Sequence, residues 1–208
     1  MKGSLLIGFI FCLLSCAESQ NRQSQQIGGP CQGCEAIYEY GTQSLQAIDT
    51  LPKFKELPHP IYISGTVYQK DGQTPAPDVI LYIYHTNNEG KYPSTAQSKG
   101  WERQHGYLRG WLKTDANGNY GFYTSRPASY PNSTLPQHIH ITVKEPDKGE
   151  YYIEDFYFES DPNLPSSFKT RERPRGGSGV ISLRNENGLQ TAKRDIILGL
   201  NIPNYPSE

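Results

Sequence analysis

The sequence predicts an all-β protein, a β-sandwich with long loops and little helix. Of 208 residues, 20 are Gly, 16 Pro and 15 Tyr, with a single Met. That composition is too rich in turn formers for a helical bundle or a coiled coil. Short β-branched and aromatic runs recur along the chain between turn signals, as strands of a sandwich do. Strand and helix patterns do not alternate, which argues against a parallel α/β sheet.

The first strand signal is Tyr62–Tyr68 (YISGTVY), after a Pro-punctuated stretch from Leu51-Pro52 to Pro58-His59-Pro60. Asp71-Gly72 with Pro75 and Pro77 reads as a turn, and Val79–Tyr84 (VILYIY) as the next strand. Gly110–Thr114 and Tyr120–Thr124 flank Asp115-Ala116-Asn117-Gly118-Asn119, and Asn-Gly between two such runs predicts a hairpin. A calcium loop is a poor reading of those five residues, because the flanks are strands and the twelfth position is Arg126, not Glu. His138–Val143, Tyr151–Phe158, Val180–Leu183 and Asp195–Leu200 bring the total to about eight strands. One weakly amphipathic helix is expected over Glu35–Ile48.

The N-terminal segment MKGSLLIGFIFCLLSC carries an apolar run from Leu5 to Leu14. That run is shorter than the about 20 residues a spanning helix needs, but it suits a secretory signal. Leu13-Leu14-Ser15-Cys16 resembles the lipobox of bacterial lipoproteins, which implies acylation at Cys16 and an exported, membrane-anchored protein on the periplasmic or cell-surface side. The expected organisation is a lipoprotein-type signal over 1–15, a tether and N-terminal arm over 16–57, and a sandwich domain over 58–208. Cys31 and Cys34 then read as a local staple or two free thiols, since a redox motif needs a βαβ context and zinc needs two further ligands.

Twenty basic and 21 acidic residues give a net charge of −1, so no electrostatic footprint for nucleic acid exists. No Ser-His-Asp order or paired carboxylates suggest a hydrolase, and no glycine loop suggests phosphate binding. The sharpest chemical signal is Gln137-His138-Ile139-His140-Ile141-Thr142-Val143. Along a strand His138 and His140 share a face, which makes half of a metal site. Two tyrosines stand in loop contexts upstream, Tyr92 in Gly90-Lys91-Tyr92-Pro93 and Tyr130 before Pro131. A phenolate is a hard anion suited to Fe(III), and a trivalent ion can hold phenols deprotonated despite their ordinary pKa of about 10.

The order G-K-Y, then RGWLKTDANGNYGFYTSRPASYP, then HIH closely resembles the intradiol ring-cleavage dioxygenases, the catechol and protocatechuate dioxygenase group. The likeness covers roughly residues 58–163 and the stretch Arg194-Asp195-Ile196-Ile197-Leu198. It implies a β-sandwich and a mononuclear non-haem Fe(III) held by Tyr92, Tyr130, His138 and His140. Tyr92 and His140 would be the equatorial pair, with Tyr130 and His138 axial. The implied reaction is O2-dependent cleavage of a catecholic ring to a muconate-type diacid, with Tyr130 displaced by substrate and helping to take up its proton.

The chain departs from the family at two positions. Leu135 stands where an Arg is usual, three residues before the first His, and Asp155 where a Gln is usual. Arg126 and Arg109 are the nearest candidates in sequence to replace the missing cation. The departures raise an alternative, an iron-containing catechol-binding surface lipoprotein without turnover; a structural accessory sandwich is a further one. Trp101, His105 and Tyr107, in the loop after Tyr92, are candidate substrate contacts, whereas His59 and His85 read as ordinary surface or strand-end residues.

Overall fold

A computed structural model describes residues 26–206. The expected signal over 1–15 and the lipidation at Cys16 lie outside the described residues. Among those described, no helix is long and apolar enough to cross a membrane.

Among the described residues twelve strands form two sheets, as a sandwich requires. The first contains β1 (Ile48–Thr50), β2 (Pro60–Tyr68), β5 (Asn119–Ser125), β10 (Arg184–Glu186), β11 (Leu189–Lys193) and β12 (Ile196–Ile197). The second contains β3 (Ile80–Tyr84), β4 (Arg109–Lys113), β6 (His138–Lys144), β7 (Glu150–Tyr152), β8 (Phe156–Phe158) and β9 (Val180–Ile181). Ile61, Ile63 and Phe122 from one sheet meet Leu81, Ile83, Ile139, Ile141 and Phe156 from the other in a single apolar core. Among the described residues helix is confined to α1 (Glu102–His105), α2 (Ser166–Lys169) and a 3-10 turn over Cys34–Tyr38.

Two expectations change. The helix over Glu35–Ile48 shrinks to that 3-10 turn, because Ala36 and Ile37 bury themselves against Tyr82 on the outer face of the second sheet. The chain then passes Gly41 at φ 60° and joins β5 as the parallel strand β1. Tertiary packing and strand pairing have overridden a weak local period. Asp115–Asn119 does turn tightly, its Asp115 carboxylate accepting from the amides of Asn117 and Asn119. It is not a hairpin, however: β4 pairs with β3 in the second sheet and β5 with β1 and β2 in the first. The Val67 amide donates to the Gly118 carbonyl, so β2 captures the end of the turn and carries the chain across the sandwich.

The predicted strand Tyr151–Phe158 is interrupted, leaving Ile153–Asp155 between β7 and β8. Another break falls between β11 and β12, which run consecutively along β2 in parallel register. At this second break the Arg194 carbonyl presses on Gly65, where an added Cβ would lie 1.9 Å from it, and Asp195 accepts the Thr66 amide. Ala192, Arg194, Ile196 and Leu198 alternate inward, so a charged residue is folded into an otherwise apolar row.

His85 is fully buried at the end of β3. Its Nδ1 donates to the Thr86 carbonyl at 2.7 Å and its Nε2 accepts from the Thr124 hydroxyl at 2.7 Å, which satisfies a neutral ring. Burial pushes its pKa down to about 4. Between the unfolded value of about 6.5 and that value, the unfolded chain binds a proton that the native state refuses. Native stability is therefore expected to fall as pH drops through this window, by on the order of 3 kcal/mol from this ring. Denaturant titrations at pH 7 and 4.5 check it: His85→Gln should show a smaller pH difference, and an unchanged difference would assign the effect elsewhere.

Candidate metal centre

β6 divides its side chains by parity. Ile139, Ile141 and Val143 enter the core, while His138, His140 and Thr142 face the opposite side. Tyr84 is the register partner of His140 on β3 and stacks on its ring at 4.5 Å. The outer face of the second sheet is roofed by the N-terminal arm, where Cys31 and Cys34 are joined by a disulfide and Cys34 Sγ lies 3.7 Å from the Thr142 hydroxyl.

The two phenols arrive from loops tied to each other. Asn87 Oδ1 accepts the amides of Glu89 and Lys91, while the Asn87 carbonyl accepts the Ala128 amide and Thr86 Oγ1 donates to the Ala128 carbonyl. Gly90, at φ 73°, allows this approach: a Cβ there would sit 2.0 Å from the Ser129 carbonyl oxygen. Tyr92 and Tyr130 thus descend on the β6 histidines from the same side.

Their reactive atoms meet. Tyr92 Oη lies 2.6 Å from Tyr130 Oη and 2.8 Å from His140 Nε2. Tyr130 Oη is 3.2 Å from His138 Nε2 and 3.3 Å from His140 Nε2, and the two Nε2 atoms are 3.2 Å apart. Adjacent donors around an ion held at about 2.0–2.1 Å lie about 2.9–3.4 Å from one another, close to these spacings. The tautomers agree. His138 Nδ1 is 2.7 Å from the Pro136 carbonyl and His140 Nδ1 is 3.2 Å from Asp155 Oδ2. Each Nδ1 therefore carries the proton, and both Nε2 lone pairs point into the same space. Neutral phenols donate to these lone pairs, and a cation that displaces the phenol protons would meet four converging donor atoms, so the donor set fits a metal.

Burial, and then the hydrogen bond between the phenols, push the Tyr92 hydroxyl well above its usual pKa; burial also raises Tyr130. Burial lowers His138, in the direction that keeps Nε2 unprotonated. Deprotonated phenols here require a strongly charged ion. Two phenols with two imidazoles are not the Cys, His and carboxylate set typical of zinc. Asp155 clusters with both histidines, but it faces His140 Nδ1 and so stands behind that imidazole, away from the phenols.

Beside His140 opens a cavity of about 320 Å³, lined by Pro30, the Cys31–Cys34 disulfide, Tyr84, Thr142 and Asp155. Trp101, His105 and Tyr107 are not among its lining residues. His105 is buried behind Tyr84, stacked on it at 3.8 Å, with Nδ1 2.9 Å from the Tyr82 hydroxyl. Trp101 packs on His105, and Tyr107 lies under the Lys53 ammonium. Leu135 is 54% exposed and contributes no charge. Arg109 is held by Glu39 at 2.5 Å and Glu102 at 3.5 Å, and Arg126 donates to the Gln137 side chain at 2.7 Å. Arg194 is a buried cation that shares the inward parity of Ala192 and Ile196 and lies over the Phe156 ring.

The fold and the donor set define a class: a β-sandwich bearing a mixed phenol and imidazole cluster on the outer face of one sheet. A family profile described as Dioxygenase matches residues 36–176, and the chain belongs to the intradiol dioxygenase family, whose members cleave catecholic rings with O2 and typically use Fe(III). The chain is 26% identical over 137 residues to the protocatechuate 3,4-dioxygenase beta chain of Burkholderia cepacia, covering 60% of this chain and 58% of that one. It is 30% identical over 135 residues to catechol 1,2-dioxygenase 1 of Acinetobacter lwoffii, covering 54% and 41% respectively. The chain thus spans about half the length of these curated relatives. Among solved structures, the dioxygenase domain of a dioxygenase carbohydrate-binding protein fusion from Streptomyces sp. SirexAA-E superposes with a TM-score of 0.55 at 20% identity, over 77% of this chain and 94% of that one. That likeness concerns the fold.

Proposed function

We propose that the protein is a non-haem Fe(III) ring-cleaving dioxygenase acting on a catecholic compound, with Tyr92, Tyr130, His138 and His140 as the metal ligands. The observation that carries this reading is the meeting of two phenol oxygens and two lone-pair-bearing imidazole nitrogens at 2.6–3.3 Å. When bound, the ion supplies Lewis acidity and activates a chelated catechol toward O2. The protein supplies the rest. Tyr84 stacks on His140 and fixes its plane, while the Pro136 carbonyl and the Asp155 carboxylate set the two tautomers. Tyr130 Oη lies between the two imidazoles and, held there as a phenolate by the bound ion, would take up a substrate hydroxyl proton.

We further propose that the protein is exported and anchored through Cys16. The Cys31–Cys34 disulfide supports this, since such bonds persist in oxidising compartments. A second reading, catechol capture without turnover, rests on Leu135: it offers no cation, and Arg109 and Arg126 are engaged elsewhere.

One experiment separates the readings. The purified iron-loaded protein should show a visible tyrosinate-to-iron charge-transfer band and consume O2 with a member of a catechol panel. A band that shifts with catechol without O2 uptake would favour capture. Absence of a band from fully loaded protein would overturn the ligand set.

A further inference from the structure

A separate cavity, of about 480 Å³, opens at one end of the sandwich. Its polar wall is made by Arg126, His59, Asn88, Gln137 and Gln190, and no carboxylate lines it. These residues converge from both sheets: His59 precedes β2, Asn88 follows β3, Arg126 follows β5, Gln137 precedes β6 and Gln190 lies in β11. The Arg126 amide donates to the His59 carbonyl at 3.0 Å, which pins the cation to the start of β2. None of the phenols or imidazoles of the metal centre lines this cavity.

Arg126 is half-buried and held in a set orientation. Its guanidinium lies 4.8 Å from the ring centre of Phe158, and its Nε donates to Gln137 Oε1 at 2.7 Å. Gln137 is anchored in turn, its backbone amide donating to Asp161 Oδ2 at 2.5 Å. Asp161 attracts Arg126 but forms no ion pair with it, and its other oxygen accepts the Asn163 amide at 3.0 Å. Among the described residues Nη1 and Nη2 of Arg126 have no acceptor. The guanidinium is thus fixed by its ring contact and its Nε, with its two terminal nitrogens still able to donate.

We propose that this cavity binds a small organic acid, with Arg126 receiving the carboxylate. The planar fork of Nη1 and Nη2 matches the two oxygens of a carboxylate. Because Gln137 Oε1 is committed to Arg126, the Gln137 side chain has only its NH2 group left to offer, a donor suited to the same anion. Asn88 and Gln190 add amide donors at the wall. Pro58, Pro127 and Ala128 supply an apolar side, which suits the hydrocarbon body of an organic acid better than a bare inorganic ion. The volume falls within the about 300–1,000 Å³ typical of small-molecule sites. This site goes beyond the ring-cleaving reading and does not depend on it.

The test titrates the purified protein with benzoate, neutral benzamide and inorganic phosphate by calorimetry, and follows the visible band in parallel. Benzoate should bind once per chain, and benzamide at least about tenfold more weakly, the worth of a charge-assisted hydrogen bond. Arg126→Gln should weaken benzoate binding by at least about the same factor. Asn88→Asp, at an exposed position, places a carboxylate in the wall and should also weaken it. Circular dichroism and thermal melting confirm that each variant is folded, and if Arg126→Gln misfolds, Asn88→Asp and the benzamide comparison still decide. The band should not move on saturation with benzoate, since the site is separate from the phenols. No heat with benzoate up to about 10 mM, or parent affinity in both variants, would overturn the proposal. A band shift with parent affinity in Arg126→Gln would place the carboxylate on the metal and overturn it too. Phosphate binding as tightly as benzoate would overturn the assignment to an organic acid. The calorimetric arm needs no metal, so a protein without a band leaves this proposal decidable.

Discussion

Tyr92→Phe is expected to abolish or strongly shift the visible band and to weaken metal binding by more than about 100-fold, beyond the range typical of an outer-sphere change. Tyr92 Oη is in contact with both Tyr130 Oη and His140 Nε2, so its loss removes an anionic donor and unlocks its neighbours. The substitution deletes one oxygen from a half-buried ring and leaves the packing of Tyr84 and Tyr130 against that ring in place. Global stability should therefore change little, which separates a ligand from a structural tyrosine. Tyr62→Phe, in β2 of the other sheet, should keep the band. Spectrophotometric metal titration of the three proteins decides it, and a Tyr92→Phe protein with the parent band would remove Tyr92 from the ligand set.

Gly90→Ala is expected to have an effect nearly as large without touching a donor atom. The new Cβ would sit 2.0 Å from the Ser129 carbonyl oxygen and 3.1 Å from Pro131 Cδ, at φ 73°. A side chain forced into the left-handed region against backbone costs about 1–3 kcal/mol. The strain falls on the contact that holds the Tyr92 loop to the Tyr130 loop. Relief means separating the two phenols, so metal affinity should drop by about 10–100-fold, the scale of a lost outer-sphere partner. Metal titration and a denaturant curve on the same variant check the claim: lost stability with parent metal affinity would show that the loops move together.

Much of this was legible in the residues. Composition and the spacing of strand runs were enough for two sheets, and the alternation in Gln137–Val143 already placed His138 and His140 on one side. Tyr92 and Tyr130 stood out through their order relative to H-x-H, since no local pattern joins Tyr92 to contacts 38 and 48 positions away. What escaped was set by pairing at a distance. Asn117-Gly118 encodes a reversal but does not say which ladder each arm joins, so the β4–β5 crossover looked like a hairpin. The Glu35–Ile48 segment had too weak a period to resist docking of Ala36 and Ile37 on Tyr82. Cys31–Cys34 had two open readings until the arm folded over Thr142. Arg194 escaped because the strand expected there began one residue later, at Asp195, so its charge was not set against its inward parity.

Parity in β6 also governs how such a chain can vary. Odd positions build the apolar interior and even positions present donors, so a single inserted or deleted residue between 138 and 143 would exchange the two sets at once. Imidazoles would be thrust among hydrocarbon side chains and isoleucines turned toward the two phenols. Point substitutions on the donor face can therefore drift toward a new chemistry while the domain stays folded, but length changes in this strand are closed to it. The loops bearing Tyr92 and Tyr130 obey no such rule, and insertions there can change what surrounds the two phenols without exchanging the faces of β6.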